Sequence, residues 1–258
     1  MNKFGLFIAT VLLLFLGIHA IRQWHASSRA SVGTAKTLAS DTLTPSSGGD
    51  DKTIKNDTLG DRMYVAKNFT HLLGIPGLSN QLLENHFKLY QGYVDNTNKL
   101  LELTKNMLEH GEAAKPEFCE LKRRLGWEFN GMRLHELYFE NLSIVPHALS
   151  QDSALMRKIE QDYGTFSAMD REVRAMAKIR GIGWIVLYYD SIAQKLMNMW
   201  IGEHNEGHPA GCTPLLVIDL WEHAYMTDYG IKRDGYMDVI MRSIAWDVVE
   251  KRFEKTSK

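Results

Sequence analysis

Thiols are nearly missing from this chain: two cysteines, Cys119 and Cys212, occur in 258 residues, and neither sits in a Cys-x-x-Cys pair. That excludes zinc fingers, iron–sulfur clusters and a disulfide-built scaffold. The two would bond to each other only in an oxidising compartment, and the simpler expectation is two small buried thiols. An excess of positive charge is missing as well. Lys and Arg total 30 against 31 Asp and Glu, a net charge of −1, which argues against a dedicated nucleic-acid binder. What the chain does have is 45% hydrophobic residues, enough for a substantial core in one or two domains. It also carries ten histidines, which composition alone assigns to nothing.

The one long apolar run lies at the start. Phe4 to Ile21 is interrupted only by Thr10 and His19 and is flanked by Lys3 and Arg22. A run of that length is a signal-peptide core or an uncleaved anchor of near-minimal spanning length. Ile18-His19-Ala20 lacks the small residue wanted two before the alanine, and no cysteine follows for lipid attachment. Residues 1–24 are therefore read as signal or anchor. Residues 25–62 are rich in Ser, Thr, Gly, Asp and Lys; such a stretch buries too little surface to offset the entropy of ordering, so it reads as a tether. The expectation is an exported protein, periplasmic or otherwise extracytoplasmic, with or without a retained membrane tether through residues 4–21.

Beyond the tether, periodicity predicts an α+β protein. Ser79 offers an N-cap to a long helix with Leu82, Leu83, Phe87, Tyr90, Val94, Leu101 and Leu108 on its apolar stripe, ending near His110-Gly111. Pro116 suits the first turn of a second helix that buries Phe118, Leu121, Leu125, Phe129 and Met132. A short link makes the two an antiparallel hairpin, residues 63–148. Residues 149–258 form a second domain. Helices are expected over Leu155–Tyr163 and Phe166–Ile179, then a hairpin of Trp184–Tyr189 and Lys195–Ile201. Leu215–Asp219 completes a three-stranded antiparallel sheet, and one helix over Tyr236–Phe253 closes the chain.

The third strand ends on a carboxylate, Asp219, and an imidazole, His223, follows four residues later. A charge at the end of a buried strand must be satisfied, and a first-row transition metal suits an Asp/His pair. Alone, Asp-x-x-x-His is weak evidence. In context, Asp219-Leu220-Trp221-Glu222-His223-Ala224-Tyr225 resembles the Asp-x-Trp-Glu-His-Ala-Tyr signature of the iron/manganese superoxide dismutases. Three further motifs fall in that family's order. His86 with Tyr93-Val94 and Asn98 resembles its first ligand helix, with one residue fewer between histidine and tyrosine. Seven steps of ~100° return within ~20°, so His86 and Tyr93 still share a face. His135-Glu-Leu-Tyr138-Phe139-Glu-Asn141-Leu142 resembles its second ligand helix, and Gly181-Ile-Gly183-Trp184 its Gly-Ser-Gly-Trp.

The resemblance spans about residues 67 to 255. It implies a superoxide dismutase with one Fe or Mn ion per subunit, held by His86, His135, Asp219 and His223, and superoxide as substrate. Tyr138, Phe139 and Trp184 would wall the cavity. Gly131 stands where some members have a Gln; there the residue meeting metal-bound solvent comes from the second domain, and alignment gives His204 that place. Tyr93, His204 and Trp184 are thus the implied catalytic residues beside the metal, with Tyr93 relaying protons. Glu222 and His223 imply a homodimer. Tyr90 and Met226 stand where the family usually has a His and a Tyr that bond across that dimer. Two rival readings remain: a non-catalytic metal-binding or interaction protein on the same scaffold, and a two-His-one-carboxylate oxygenase, which three candidate His ligands disfavour.

Overall fold

The structure, a computed structural model, describes residues 63–256. The signal or anchor and the tether lie outside those residues. Helix α1, Asn80–Glu109, begins where Ser79 caps it, the serine Oγ accepting from Leu82 N at 3.1 Å. Such a cap contributes about 1 kcal/mol. Gly111, at φ +70, turns the chain out of the helix, and Pro116 opens α2, Pro116–Glu140. The two helices pack over their inner ends, where Leu82, Leu83, Tyr90, Val94 and Met132 are sealed from solvent. Burial fades towards the closed end of the hairpin. Leu101 and Leu108, expected in the stripe, are exposed there, and Phe118, Leu121 and Leu125 are half-buried. A pair of helices covers only a narrow strip of each without a third layer.

Helices α3, Ala154–Tyr163, and α4, Phe166–Met176, follow, capped by Ser153 and Thr165. The sequence predicts that α4 runs on to Ile179. It stops three residues short: Lys178 N and Ile179 N bond the carbonyls three back, Ala175 O and Met176 O, and Arg233 holds the departing chain by donating to the carbonyls of Ala177, Ile179 and Gly181. The sheet comprises β1, Gly183–Asp190, β2, Lys195–Gly202, and β3, Cys212–Asp219, all antiparallel in the order β2-β1-β3. Strand β1 is central, which is why Trp184 to Tyr189 are buried without alternation. Its register sets Trp184 opposite Asp219 on one side and Ile201 on the other.

After β3 come a 3₁₀ turn at Glu222–Ala224, the short α5, Met226–Tyr229, then α6, Arg233–Arg242, and α7, Trp246–Thr256. One closing helix over Tyr236–Phe253 was the expectation, and it is broken at Ser243-Ile244-Ala245. Periodicity cannot show the cause, which is tertiary. Ser143 N donates to Ser243 O at 2.8 Å, Ala245 N donates to Asn141 O at 2.9 Å, and Ile244 bridges Leu142.

Those contacts also fix where α2 ends relative to the sheet. Asn141 Oδ1 accepts from Val217 N at 3.0 Å, and Arg252 on α7 donates to Leu137 O, Leu215 O and Glu140 Oε2. The start of α1 is tied instead to α5, since Ser79 N and Oγ both donate to Asp228 at 2.7 Å. Thus each hairpin helix is pinned to the segment around Asp219 and His223. Both cysteines are free, and Cys119 is exposed rather than buried because its face of α2 has nothing packed on it; Cys212 is half-buried.

Candidate metal centre

Four elements each deliver one donor to a common point. His86 comes from the second turn of α1, His135 from the last turns of α2, Asp219 from the end of β3 and His223 from the 3₁₀ turn. His86, His135 and Asp219 are fully buried, and one donor atom from each of the four residues lies within 4.8 Å of all the others. Asp219 Oδ2 is 3.2 Å from His86 Nε2, 3.2 Å from His223 Nε2 and 3.6 Å from His135 Nε2. Donors about 2.1 Å from a shared ion sit roughly 3.0–4.2 Å from one another, and the three spacings to Asp219 Oδ2 fall in that range, as one first-row metal requires.

The protonation pattern fits as well. His135 Nδ1 is 2.6 Å from Gly131 O, a carbonyl that can only accept, so the proton is on Nδ1 and Nε2 keeps its lone pair. That Nε2 is buried with no hydrogen-bond partner. An orphaned acceptor inside a protein is costly, and a metal ion satisfies it. Burial lowers the His86 and His135 imidazoles from their ordinary range, His135 well below it, and keeps them neutral. Burial alone would raise the Asp219 carboxyl. The adjoining His223 and His86 outweigh that and hold it well below the usual carboxylate range. Three neutral imidazoles and one carboxylate form a donor set for iron or manganese.

Around the donors lies an aromatic wall. The His86 ring is 4.8 Å from Phe139 and 5.4 Å from Tyr138, and Trp184 stands edge-on to His135 at 4.9 Å. Tyr236, which the sequence places only at the start of the closing helix, donates to the backbone carbonyl of Asp219 at 2.8 Å and meets Tyr138 Oη at 3.1 Å. Beside the wall sit Tyr93 and His204. Tyr93 stacks on His135 at 5.1 Å, and its hydroxyl is 2.9 Å from His204 Nε2. Trp184 Nε1 donates to His204 Nδ1 at 3.2 Å, which leaves the proton of a neutral His204 on Nε2, donating to Tyr93 Oη. Burial brings the His204 imidazole down to about 4, and burial likewise raises the Tyr93 phenol. At neutral pH both are uncharged and share a hydrogen bond.

All seven site residues expected from the sequence therefore meet in one place: four donors, with Tyr93, His204 and Trp184 in a connected layer beside them. Gly131 has a steric reason to be glycine, because a Cβ there would lie 2.7 Å from Tyr93 Cδ1. Glu222 is exposed next to His223, and Met226 is exposed as well. Tyr90 is buried, accepting from Lys67 N at 3.0 Å and donating to Glu136 Oε1 at 3.0 Å, so the tyrosine at that position leaves no polar orphan. Trp127 and Glu203 were not singled out by sequence. Their contacts join residues 76 apart, and only an aromatic eight positions before a ligand histidine hinted at Trp127.

Residues 73–143 match the model of iron/manganese superoxide dismutases, alpha-hairpin domain, and residues 151–252 match that of iron/manganese superoxide dismutases, C-terminal domain. The superoxide dismutase [Fe] of Aquifex aeolicus (strain VF5) is 38% identical over 190 residues, covering 71% of this chain and 88% of the relative. The superoxide dismutase [Fe] of Cupriavidus metallidurans is 35% identical over 184 residues, 69% of this chain and 90% of the relative. Superoxide dismutase [Mn] 2 of Haloferax volcanii is 32% identical over 182 residues, 70% and 89% respectively.

Proposed function

The chain belongs to the iron/manganese superoxide dismutase family, and from that premise we propose how its own residues carry out the disproportionation of superoxide to O₂ and H₂O₂. The observation that carries the reading is the convergence of His86, His135, Asp219 and His223 on one point. When bound, iron or manganese supplies one-electron chemistry between its +3 and +2 states, so that two superoxide anions and two protons become one O₂ and one H₂O₂. The three imidazoles would hold the ion without adding charge, and Asp219 would offset part of the ion's own. A cationic centre remains to attract the anion, so the net charge of −1 is no obstacle.

The protons are the part this chain must manage. His204 Nε2–H donates to Tyr93 Oη, and Tyr93 lies against His135. In this reading the pair hands protons from solvent towards the site and Trp184 fixes the His204 tautomer. Replacing His204 with Ala is expected to lower turnover on the order of 10²-fold, the scale of one lost proton-transfer partner, while ion content per chain stays near the parent's. Equal loss of both would remove the role given to His204.

We further propose a homodimer through Glu222 and His223. The exposed Glu222 and the partial exposure of His223, 25% for its side chain, support it. An isologous interface there would seal the remaining open ligand. Sedimentation of the full chain reads this directly, and a monomer at micromolar concentration would contradict it. Export, with a tether through residues 4–21, is the reading of the apolar start; among the described residues no helix is long and apolar enough to cross a membrane. Of the two rival readings, the oxygenase asks for three donors where four converge, and the non-catalytic scaffold rests on the Tyr90 and Met226 departures and the tether, none of which removes a donor.

A further inference from the structure

His204 sits just past the end of β2, on a turn that few contacts define: Glu203 N donates to Ile182 O at 3.1 Å, Gly202 and Glu206 exchange backbone bonds, and the His208 ring meets His204 O at 2.9 Å. A loop held so lightly is a poor support for a buried imidazole that must keep one orientation. Yet the His204 ring is tightly boxed. Trp127 of α2 stands edge-on at 4.5 Å, and Trp221, two residues past Asp219, stacks on it at 4.5 Å with 19° between planes.

Both indoles are anchored to the residue before the histidine. Trp127 Nε1 donates to Glu203 Oε2 at 2.9 Å, and Trp221 Nε1 donates to Glu203 O at 3.3 Å. Glu203 itself has φ +48, a left-handed conformation that a side chain with a Cβ rarely adopts. Strain of this kind persists only where surrounding contacts over-determine it. Here those contacts come from the two segments that carry His135 and Asp219. Within α2 itself Arg124 lies 3.7 Å over the Trp127 ring and bonds Glu128, so Trp127 is also held by its own helix.

We propose that Glu203 is a positioning residue for the dismutase reaction: it clamps Trp127 and Trp221 around His204 and so holds that imidazole in line with Tyr93. The inference rests on the role given to His204 above, and its test separates the two. Glu203 itself hydrogen-bonds neither the donors nor Tyr93, but the indoles it holds also pack on Tyr93 (Trp127, 5.6 Å) and on His223 (Trp221, 5.8 Å), so ion content is read beside turnover to separate the His204 route from a disturbed donor.

The test is indole N–H hydrogen exchange by NMR on the metal-free full chain, whose six tryptophans give few signals to assign, alongside turnover of the metal-loaded protein. Trp184 is fully buried and bonded to His204, so its N–H exchanges only when the loop opens. In Glu203→Ala, Trp184 exchange is expected to quicken by about 10-fold or more with Trp246 unchanged, and turnover to fall about 10-fold at unaltered ion content. Glu203→Gln keeps an oxygen acceptor for Trp127 and is expected to restore both. Glu203→Ala combined with Trp127→Phe is expected to be no worse than the poorer single variant, because both break one clamp. Unchanged Trp184 exchange in Glu203→Ala, or fully additive losses in the double variant, would overturn the proposal. Faster exchange with full turnover would uphold the clamp and count against the role of His204 instead.

Discussion

In Asp219→Asn, ion content per chain is expected to drop at least tenfold and superoxide removal by roughly 10³-fold or more, the largest effect any conservative replacement in this chain should have. Asp219 is the single anionic donor among the four, and it is fully buried. Without it three imidazoles face a multivalent cation with no compensating charge in a largely buried site. The amide cannot substitute by rotating. Oδ1 of residue 219 is committed to Trp221 N at 2.8 Å, so the amide nitrogen would turn its protons towards the three Nε2 atoms where Oδ2 now lies. The same geometry explains why the fold should survive. Trp221 N keeps an oxygen acceptor, and Tyr236 still donates to the backbone carbonyl of residue 219. Metal analysis by mass spectrometry, a superoxide assay and circular dichroism together check this. Retained ion and retained activity would mean that the metal sits elsewhere.

The second large effect is expected at a residue that touches no substrate. Gly131→Ala adds a single methyl, and its Cβ would lie 2.7 Å from Tyr93 Cδ1 and 2.9 Å from Cε1, closer than such atoms approach. Either Tyr93 must swing away or α2 must shift. The first breaks the 2.9 Å bond between Tyr93 and His204. The second moves Gly131 O, which orients His135 through Nδ1 at 2.6 Å. A lost proton-transfer partner costs on the order of 10²-fold and a disturbed outer-shell contact about 10-fold, so turnover should fall between about 10-fold and on the order of 10²-fold according to which gives way. In an exposed helix the same change would be mildly stabilising by roughly 1 kcal/mol. Steady-state turnover with ion content as control decides it, and near-parental turnover would show that Tyr93 need not stay where it is.

Much of this architecture was written in local signals. Ser79 and Pro116 mark the starts of the two hairpin helices because capping and proline placement are properties of a few adjacent residues. Asp219 to Tyr225 could be recognised because its spacing is set by one strand end and one turn. What escaped was non-local. The break at Ser243 to Ala245 exists because Asn141 and Ser143 capture backbone groups a hundred residues away in sequence. Leu101 and Leu108 carry helical period but lack a third layer to cover them, and periodicity says which face is apolar without saying what packs on it. The aromatic box around His204 was hidden for the same reason. Trp127, Glu203 and Trp221 come from three separate elements, and nothing within any one of them announces the others.

The geometry also gives Tyr90 and Met226 a coherent place. Tyr90 has turned inward to serve Lys67 and Glu136, binding the strand-like segment before α1 to the hairpin, while Met226 faces solvent beside Glu222. Neither leaves a buried group unpaired. The departures from the family pattern therefore leave the donor set itself untouched.

Anomalous diffraction at the metal edge, on crystals of the iron- or manganese-loaded protein, asks the central question without intermediaries. One peak per chain is expected, about 2.0–2.2 Å from His86 Nε2, His135 Nε2, His223 Nε2 and Asp219 Oδ2 together. A peak lying more than about 3 Å from any of the four, or bound by a different set of side chains, would contradict it.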